Sequence, residues 1–208
     1  MLTKNRQDIF NVLDTSVPPS VLSDLSKEQR GILVPRSRSR LYPDFKPSND
    51  CERFMLEAIK EAEKAIDLGE CPIGCVIVKD GKVFVRSHNL RLTRGNALAH
   101  AEVIAIDKAC KKLGDWRLED MDMYVTLEPC TMCSGAIIQS RIRKVYFGAY
   151  EPKSGAVVSC NDIFEVSHGH NHKVEFEGGI LEKECSQMML DFFRAIRKRD
   201  AGKKRSLS

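Results

Sequence analysis

The sequence predicts an α/β protein of three layers (α/β/α), in which helices cover both faces of a central mixed sheet of about five strands. Three observations support this prediction. Apolar residues recur at helical spacing in several segments, short β-branched runs separate those segments, and an Asp80-Gly81 hairpin signal joins the first two runs. Because a hairpin makes its strands antiparallel whereas helical crossovers favour parallel neighbours, we expect the sheet to be mixed.

The first predicted elements are a helix and a hairpin. Apolar residues recur at helical spacing over 54–66, and Gly69 and Pro72 end that helix. An apolar, β-branched run follows over 73–79. After the two-residue turn, residues 82–87 return as the second strand.

The remaining elements alternate between helix and strand. Helices are predicted over 100–113 and 130–140, and strands over 121–127, 144–148 and 173–176. A loop is expected over 155–172. The last helix has an apolar stripe of Cys185, Met188, Met189, Phe192, Phe193 and Ile196.

Composition divides the chain into three parts. Residues 1–50 contain five prolines and are predicted to be a poorly structured N-terminal appendage, residues 51–199 form the folded domain, and residues 200–208 form a basic C-terminal tail. Between residues 194 and 208 there are seven basic residues and one acidic residue. Such a cationic end suits a phosphate backbone, although a solvated lysine-rich tail has the same composition.

Composition also argues against several classes of protein. Apolar residues make up 42% of the chain, which is enough for a core without disulfides. No apolar run approaches the roughly 20 residues of a membrane span, and the N-terminus lacks the apolar core of a signal peptide. We therefore expect no membrane partner and a cytoplasmic location, with the eight cysteines present as reduced thiols or metal ligands.

Two short motifs contain a candidate zinc site, His100-Ala-Glu102 and Pro129-Cys130-Thr-Met-Cys133. Zinc binds imidazole nitrogen and thiolate sulfur, and a catalytic site uses three protein ligands. Cys130 and Cys133 share a helix face, and Pro129 is suited to the first helical position, where the helix dipole favours thiolates. His168, His170 and His172 offer a fourth ligand, but a surface turn is the simpler interpretation.

Glu102 is two residues from His100, a spacing that separates their side chains on a regular helix. Both can reach one metal only if His100 lies in the first turn of the helix or just before it. The chemical role that fits Glu102 is a proton shuttle between water and the substrate. Together with the Pro-Cys-x-x-Cys motif, His-x-Glu is the signature by which zinc deaminases of nucleobases are recognised.

The chain resembles the bacterial tRNA adenosine deaminases, which belong to the cytidine deaminase-like superfamily. The resemblance extends over about residues 52–199. It is carried by the run from Tyr124 to Ile142 and by segments 99–103, 147–149, 171–172, 179–181 and 191–194.

That resemblance implies a cytidine deaminase-like fold and a reaction in which adenosine becomes inosine at the wobble position of a tRNA anticodon. It implies that His100, Cys130 and Cys133 hold one Zn²⁺ per subunit and that Glu102 shuttles protons. Asn89, Glu151 and Lys153 match substrate-binding positions of the family. The implied partners are a tRNA anticodon stem-loop and a second copy of the chain in a homodimer.

The chain departs from the family in three places. Glu151 stands where the family commonly has Asp, and the extra methylene changes how far its carboxylate reaches toward the ribose. In the loop from Ala156 to His170, Cys160-Asn161-Asp162 stands where Leu-Met-Asn/Asp is expected, and residues 1–50 have no counterpart that we recognise. Two other functions stay open at this point. One is deamination of a free base or nucleotide of the guanine or cytosine type. The other is a non-catalytic, zinc-stabilised RNA-binding subunit, which the presence of Glu102 disfavours.

Overall fold

A computed structural model describes residues 39–164, 170 and 172–205 of the chain, with residues 202–205 described by their backbone alone. The first 38 residues, His168 and Asn171 lie outside the described residues. The helices are α1 (Asp50–Asp67), α2 (Arg91–Arg94), α3 (Ala101–Leu113), α4 (Thr131–Gln139) and α5 (Glu182–Arg205). The strands are β1 (Gly74–Lys79), β2 (Lys82–His88), β3 (Met121–Leu127), β4 (Lys144–Ala149) and β5 (Glu175–Gly178).

The five strands form one mixed sheet in the order β2-β1-β3-β4-β5. β1 is antiparallel to β2 and to β3, whereas β3, β4 and β5 run parallel to one another. The predicted turn closes the hairpin, with φ of 49° at Asp80 and 68° at Gly81. Two successive positive φ values are what a type I′ turn requires, so the hairpin prediction is confirmed.

Side chains of successive strand residues enter two separate cores, one on each face of the sheet. Along β1, Cys75 and Ile77 pack into the core that contains α3 and α4, whereas Val76 and Val78 pack into the core that contains α1. α5 adds Cys185 and Met188 to that second core. Helices therefore cover both faces of the sheet, which confirms the predicted three-layer α/β/α fold.

Two local predictions differ from the structure, and one short helix was not predicted. Pro129 does not begin α4, because Cys130 is the extended N-cap residue (φ −77°, ψ 172°) and pairs with Gly155 in an isolated bridge. β5 lies two residues later than the predicted 173–176. α2 was not predicted, since four residues are too few to show helical periodicity.

Residues 39–42, which we call the N-terminal strap, contact both α1 and α5. The buried carboxylate of Glu63 on α1 accepts hydrogen bonds from Ser39 Oγ, from Arg40 N (3.1 Å) and from Leu41 N (3.0 Å). Tyr42 Oη donates to the carbonyl of Glu184 on α5 (2.7 Å). The described end of the appendage thus contacts the domain, and the division of the chain at residues 50 and 199 stays a prediction.

All eight cysteines are free thiols in the structure. Among the described residues, no helix combines the length and the apolar character needed to cross a membrane.

Candidate active site

The predicted metal ligands and Glu102 meet at the edge of the sheet where the parallel strands β3 and β4 end. Leu127 and Ala149 are the last paired residues of these two strands. Directly after β3 the chain reaches Cys130 and α4. α3 begins at the same edge, where Ser87 Oγ of β2 donates to the carbonyl of Ala101 (2.6 Å). In α/β sheets, the carboxyl ends of parallel strands are the usual position for a binding site.

His100, Cys130 and Cys133 form the one His/Cys/Asp/Glu cluster in the described part of the chain whose geometry could hold a metal ion. His100 Nδ1 lies 3.8 Å from Cys130 Sγ and 3.5 Å from Cys133 Sγ. A tetrahedral zinc, with Zn–S of about 2.3 Å and Zn–N of about 2.0–2.1 Å, would separate sulfur from nitrogen by about 3.6 Å. The three donors therefore fit a single zinc ion in both kind and spacing.

The two thiols of the cluster differ in acidity. A hydrogen bond from Cys133, together with one from His100, lowers the pKa of Cys130 to about 4, although burial opposes this change. The same contact with Cys130, reinforced by burial, raises the pKa of Cys133. Cys130 is therefore readily ionised, and the thiolate is the form in which cysteine binds zinc.

Glu102 reaches this cluster because His100 lies outside the helix. His100 is the N-cap of α3 in an extended conformation (φ −75°, ψ 151°), so helical spacing does not separate the two side chains. His100 therefore lies just before the helix, which is the position that the sequence analysis requires if His100 and Glu102 are to reach one metal. Burial raises the pKa of Glu102, and the charge of Cys130 adds to this effect. Its Oε2 is buried without a hydrogen-bond partner, a property shared among the described residues only with Ser134 Oγ.

Asn89 follows β2 and lies at the same end of the molecule. It is buried, and its Nδ2 donates to Glu70 Oε2 (2.9 Å). The other oxygen of Glu70 accepts from the backbone amide of Thr93 in α2 (2.6 Å). Glu70, itself fully buried, therefore fixes both the orientation of the Asn89 amide and the start of the segment that leads to His100.

Glu151 follows β4, and its charge acts on the Cys71 thiol, as that of Glu102 does. Both carboxylates, together with Glu70, raise the pKa of the Cys71 thiol electrostatically, although burial is the largest cause of its rise to about 12. Glu151 Oε1 accepts a hydrogen bond from the backbone amide of Lys153 (3.0 Å), so the side chain stabilises the turn formed by residues 151–153. Lys153 is exposed in that turn.

The histidines of the predicted loop do not join the cluster in the described residues. His170 is exposed, and His172 Nε2 donates to the carbonyl of Ile142 (2.7 Å). Two buried carboxylates at this edge, Glu70 and Glu128, were not singled out from the sequence. Their partners are largely backbone amides of distant segments, and no spacing in the sequence identifies such contacts.

Comparison with known proteins gives consistent results. Residues 49–197 match the family model described as MafB19-like deaminase. The chain is 48% identical over 157 residues to the tRNA-specific adenosine deaminase of Bacillus subtilis, covering 76% of this chain and 97% of that protein. A protein of the same name from Aquifex aeolicus is 42% identical over 146 residues, covering 70% of this chain and 95% of that protein.

Solved structures show the same similarity. A structure from a study of A-to-I editing by tRNA:A34 deaminases at the wobble position has a TM-score of 0.63 and 43% identity, over 65% of this chain and 98% of that one. A guanine deaminase from Nitrosomonas europaea has a TM-score of 0.57, but its identity of 19%, over 68% of this chain and 83% of that one, shows only a shared fold.

Proposed function

The chain belongs to the deaminase family that includes the bacterial tRNA-specific adenosine deaminases, and from that premise we propose that it converts adenosine to inosine at the wobble position of a tRNA anticodon. In this reaction water adds at the C6 carbon of adenine and ammonia leaves. The observation that carries the proposal is a buried carboxylate oxygen without a partner, Glu102 Oε2, beside a His-Cys-Cys cluster. The adenosine and tRNA specificity is supported by the 42–48% identity to relatives of that name.

His100, Cys130 and Cys133 are the residues that would hold a catalytic zinc ion, one per subunit. Their donor atoms and spacing fit that ion, and no fourth protein ligand joins them among the described residues. Three protein ligands are typical of a catalytic zinc site and four of a structural one. When bound, zinc supplies Lewis-acid chemistry that makes water a nucleophile near neutral pH.

Glu102 is the residue to which we assign proton transfer. Addition of water to the purine requires a proton at the ring nitrogen, and departure of ammonia requires another at the amino group. Burial raises the pKa of Glu102, which favours its protonated form and suits a carboxyl group that takes up a proton in one step and gives it back in another. Its partnerless Oε2 is the atom we assign to that exchange.

Asn89, Glu151 and Lys153 are our candidates for contacts to the flipped nucleotide and the surrounding RNA. The Asn89 amide is held in one orientation by Glu70, which suits a group that reads a substrate. Arg197 and Lys198 are exposed near the end of α5, where they add positive charge suited to phosphates. The alternative of a non-catalytic subunit is disfavoured by the intact Glu102 and cluster.

We further propose a homodimer in the cytoplasm. The support for the dimer is the family resemblance, and the support for the location is the set of eight free thiols. Light scattering should give a mass of twice 23.5 kDa, and a mass of one chain at assay concentration would contradict the dimer.

The substrate is tested by offering the purified protein anticodon stem-loops beside free adenosine, guanine and cytosine, and measuring ammonia and inosine. We expect fast turnover of the stem-loop with adenine at the wobble position and slow turnover of the same stem-loop with cytosine there. Deamination of free guanine or cytosine at a higher rate than that of the adenine stem-loop would contradict the substrate assignment. It would not contradict the proposed zinc-dependent mechanism.

The metal site is tested by Cys133→Ala. Two protein ligands rarely hold a catalytic zinc, so the variant should lose both metal and inosine formation. Metal analysis by mass spectrometry checks this, with Cys160→Ala as the control because Cys160 is an exposed cysteine outside the cluster. Full zinc occupancy in Cys133→Ala would show that the ligand set is wrong.

A further inference from the structure

Glu128 is a buried carboxylate between the end of β3 and the first cysteine of the cluster, and the proposed reaction does not use it. Its Oε1 accepts hydrogen bonds from the backbone amides of Val157 (3.1 Å), Val158 (2.7 Å) and Ser159 (2.9 Å). Its Oε2 accepts from the amide of Glu151 (3.0 Å) and from Ser159 Oγ. Five donors from one segment, residues 151–159, thus converge on a single side chain that is 2% exposed.

The backbone beside Glu128 binds the same segment, which we call the substrate loop. The amide of Ala156 donates to the carbonyl of Pro129 (2.9 Å), and Cys130 pairs with Gly155 in an isolated antiparallel bridge. The fit is close at Gly155, where an added Cβ would lie 2.4 Å from Glu128 Cδ and Oε2. The substrate loop therefore has one position relative to Cys130, and the Glu128 carboxylate defines it.

We propose that Glu128 is a positioning residue for substrate recognition, which holds the substrate loop, and with it Glu151 and Lys153, at a fixed place beside the metal-binding cysteine. This inference rests on the proposed function, because it assumes that the substrate loop contacts the RNA. Glu128 itself touches neither the substrate nor the reacting atoms in this scheme.

The contacts argue for control of the loop rather than general stabilisation. A carboxylate offers about four lone-pair sites, so five donors from one loop saturate it. All five donors are in the substrate loop, at both of its ends, and in no other element. Hydrogen bonds to a charged acceptor are roughly twice as strong as neutral ones, so loss of the charge should loosen this loop first.

The test is Glu128→Gln, because the amide keeps the shape but replaces one acceptor oxygen with a donor group. Hydrogen exchange followed by mass spectrometry should show faster exchange of the amides in peptides covering residues 151–159. KM for the adenine stem-loop should rise by about tenfold or more, since small displacements of positioning groups are costly. Zinc content should stay at the wild-type level, and kcat at saturating stem-loop should change much less than KM.

Glu63→Gln is the matched control, because Glu63 is another buried carboxylate, which accepts three hydrogen bonds from the N-terminal strap on another part of the molecule. It should leave exchange in the substrate loop and KM unchanged. If Glu128→Gln fails to fold, Ser159→Ala removes one of the five donors and should cause the same changes at smaller size.

The outcomes separate this inference from the proposed function. Wild-type exchange in residues 151–159 of Glu128→Gln, or an unchanged KM for the stem-loop, would overturn the positioning role. Loss of zinc to the extent seen in Cys133→Ala would also overturn it, since Glu128 would then support the metal site. A wild-type protein that neither binds nor deaminates the stem-loop would instead contradict the proposed function, and with it the premise of this inference.

Discussion

Glu102 and Glu63 are both buried glutamates on helices, one on each face of the sheet, and their surroundings differ sharply. Glu63, on α1, is enclosed by the N-terminal strap, whose hydroxyl and two backbone amides donate to its oxygens. The guanidinium of Arg40 is 3.7 Å away and adds a compensating charge. Glu102, on α3, is as deeply buried, yet its Oε2 has no hydrogen-bond partner in the described part of the chain.

We interpret the difference as a structural use of the side chain at Glu63 and, at Glu102, the chemical use proposed above. A buried polar group without a partner costs about 1–3 kcal/mol, and a charged one costs more, so a fold rarely leaves one in place. At Glu63 the strap removes that cost. At Glu102 no described residue bonds Oε2, which agrees with the proton transfer proposed for this atom. Of these two buried glutamates, the one with a partnerless oxygen is therefore our candidate for proton transfer.

The largest expected effect is that of Glu102→Gln. The amide keeps the shape of the side chain but cannot exchange a proton, so inosine formation should fall by about 10²–10⁴-fold or more. Zinc content should stay at the wild-type level, because Glu102 is a proton carrier and not a ligand in this scheme. The melting temperature should not fall, since the lost oxygen had no partner to lose.

Single-turnover assays, metal analysis and thermal unfolding on the same preparation check all three expectations. A variant that still forms inosine at a near wild-type rate would contradict the proton-transfer role. A variant that loses its zinc would make Glu102 part of the metal site and remove the contrast with Glu63.

Glu63→Gln should show the opposite pattern. The amide leaves at least one part-buried backbone donor of the strap without an acceptor, and hydrogen bonds to charged groups contribute about 1.5–3 kcal/mol each. For a chain of this size, each kcal/mol lowers the melting temperature by roughly 2–4 °C. Activity measured well below that temperature should stay at the wild-type level.

Ser39→Ala is the companion variant, since it removes one donor of the strap and leaves the Glu63 charge with its other partners. It should destabilise the protein less than Glu63→Gln does. A melting temperature equal to that of the wild type in Glu63→Gln would mean that the strap contributes no stability. Lost activity in a folded Glu63→Gln would mean that the strap is part of the catalytic machinery.

The fold was largely predictable because its signals are local or periodic. The Asp80-Gly81 turn, the helical spacing of apolar residues and the alternation along the strands each depend on neighbours in the sequence. Element ends were predicted less well, since they depend on distant contacts. Cys130 stays extended because it pairs with Gly155, and that contact keeps Pro129 out of the helix.

The residues of the site also fall into a group that the sequence predicts and a group that it does not. The His100, Cys130 and Cys133 cluster was predictable because zinc restricts the residue types and the spacing of its ligands. Glu63, Glu70 and Glu128 were not, because each binds amides of segments about 20–30 residues away in the chain. Any residue type except proline supplies a backbone amide, so the sequence of the partner segment gives no indication of the contact.

The hydrogen-bond capacity of Asn89 is partly used, which places this residue between Glu102, with its partnerless oxygen, and Glu63, with its three donors. Its substitution gives the smallest of the predicted effects. Its Nδ2 is satisfied by Glu70, as Glu63 is by the strap, yet the resemblance assigns Asn89 to the substrate. Nδ2 carries a second hydrogen and Oδ1 can accept, so one bond to Glu70 orients the amide without using all of its capacity. The Asn89 amide, oriented by the buried Glu70 carboxylate and with hydrogen-bonding capacity left over, is suited to form hydrogen bonds with one edge of a nucleotide.

Asn89→Ala should therefore lower kcat/KM for the adenine stem-loop by about 2- to 13-fold, the equivalent of a hydrogen bond of about 0.5–1.5 kcal/mol. Removal of the amide also leaves Glu70 Oε2 without its donor, so the melting temperature should fall as well, and the assay belongs well below it. Glu63→Gln separates these two effects, because it lowers stability without touching the site. If Asn89→Ala and Glu63→Gln lose stability while both keep the wild-type kcat/KM, Asn89 is a structural partner of Glu70 and not a substrate contact. If only Asn89→Ala loses kcat/KM, a side chain that has a hydrogen-bond partner in the fold can also act on the substrate. The contrast between Glu102 and Glu63 would then apply to groups that transfer protons and not to groups that bind the substrate.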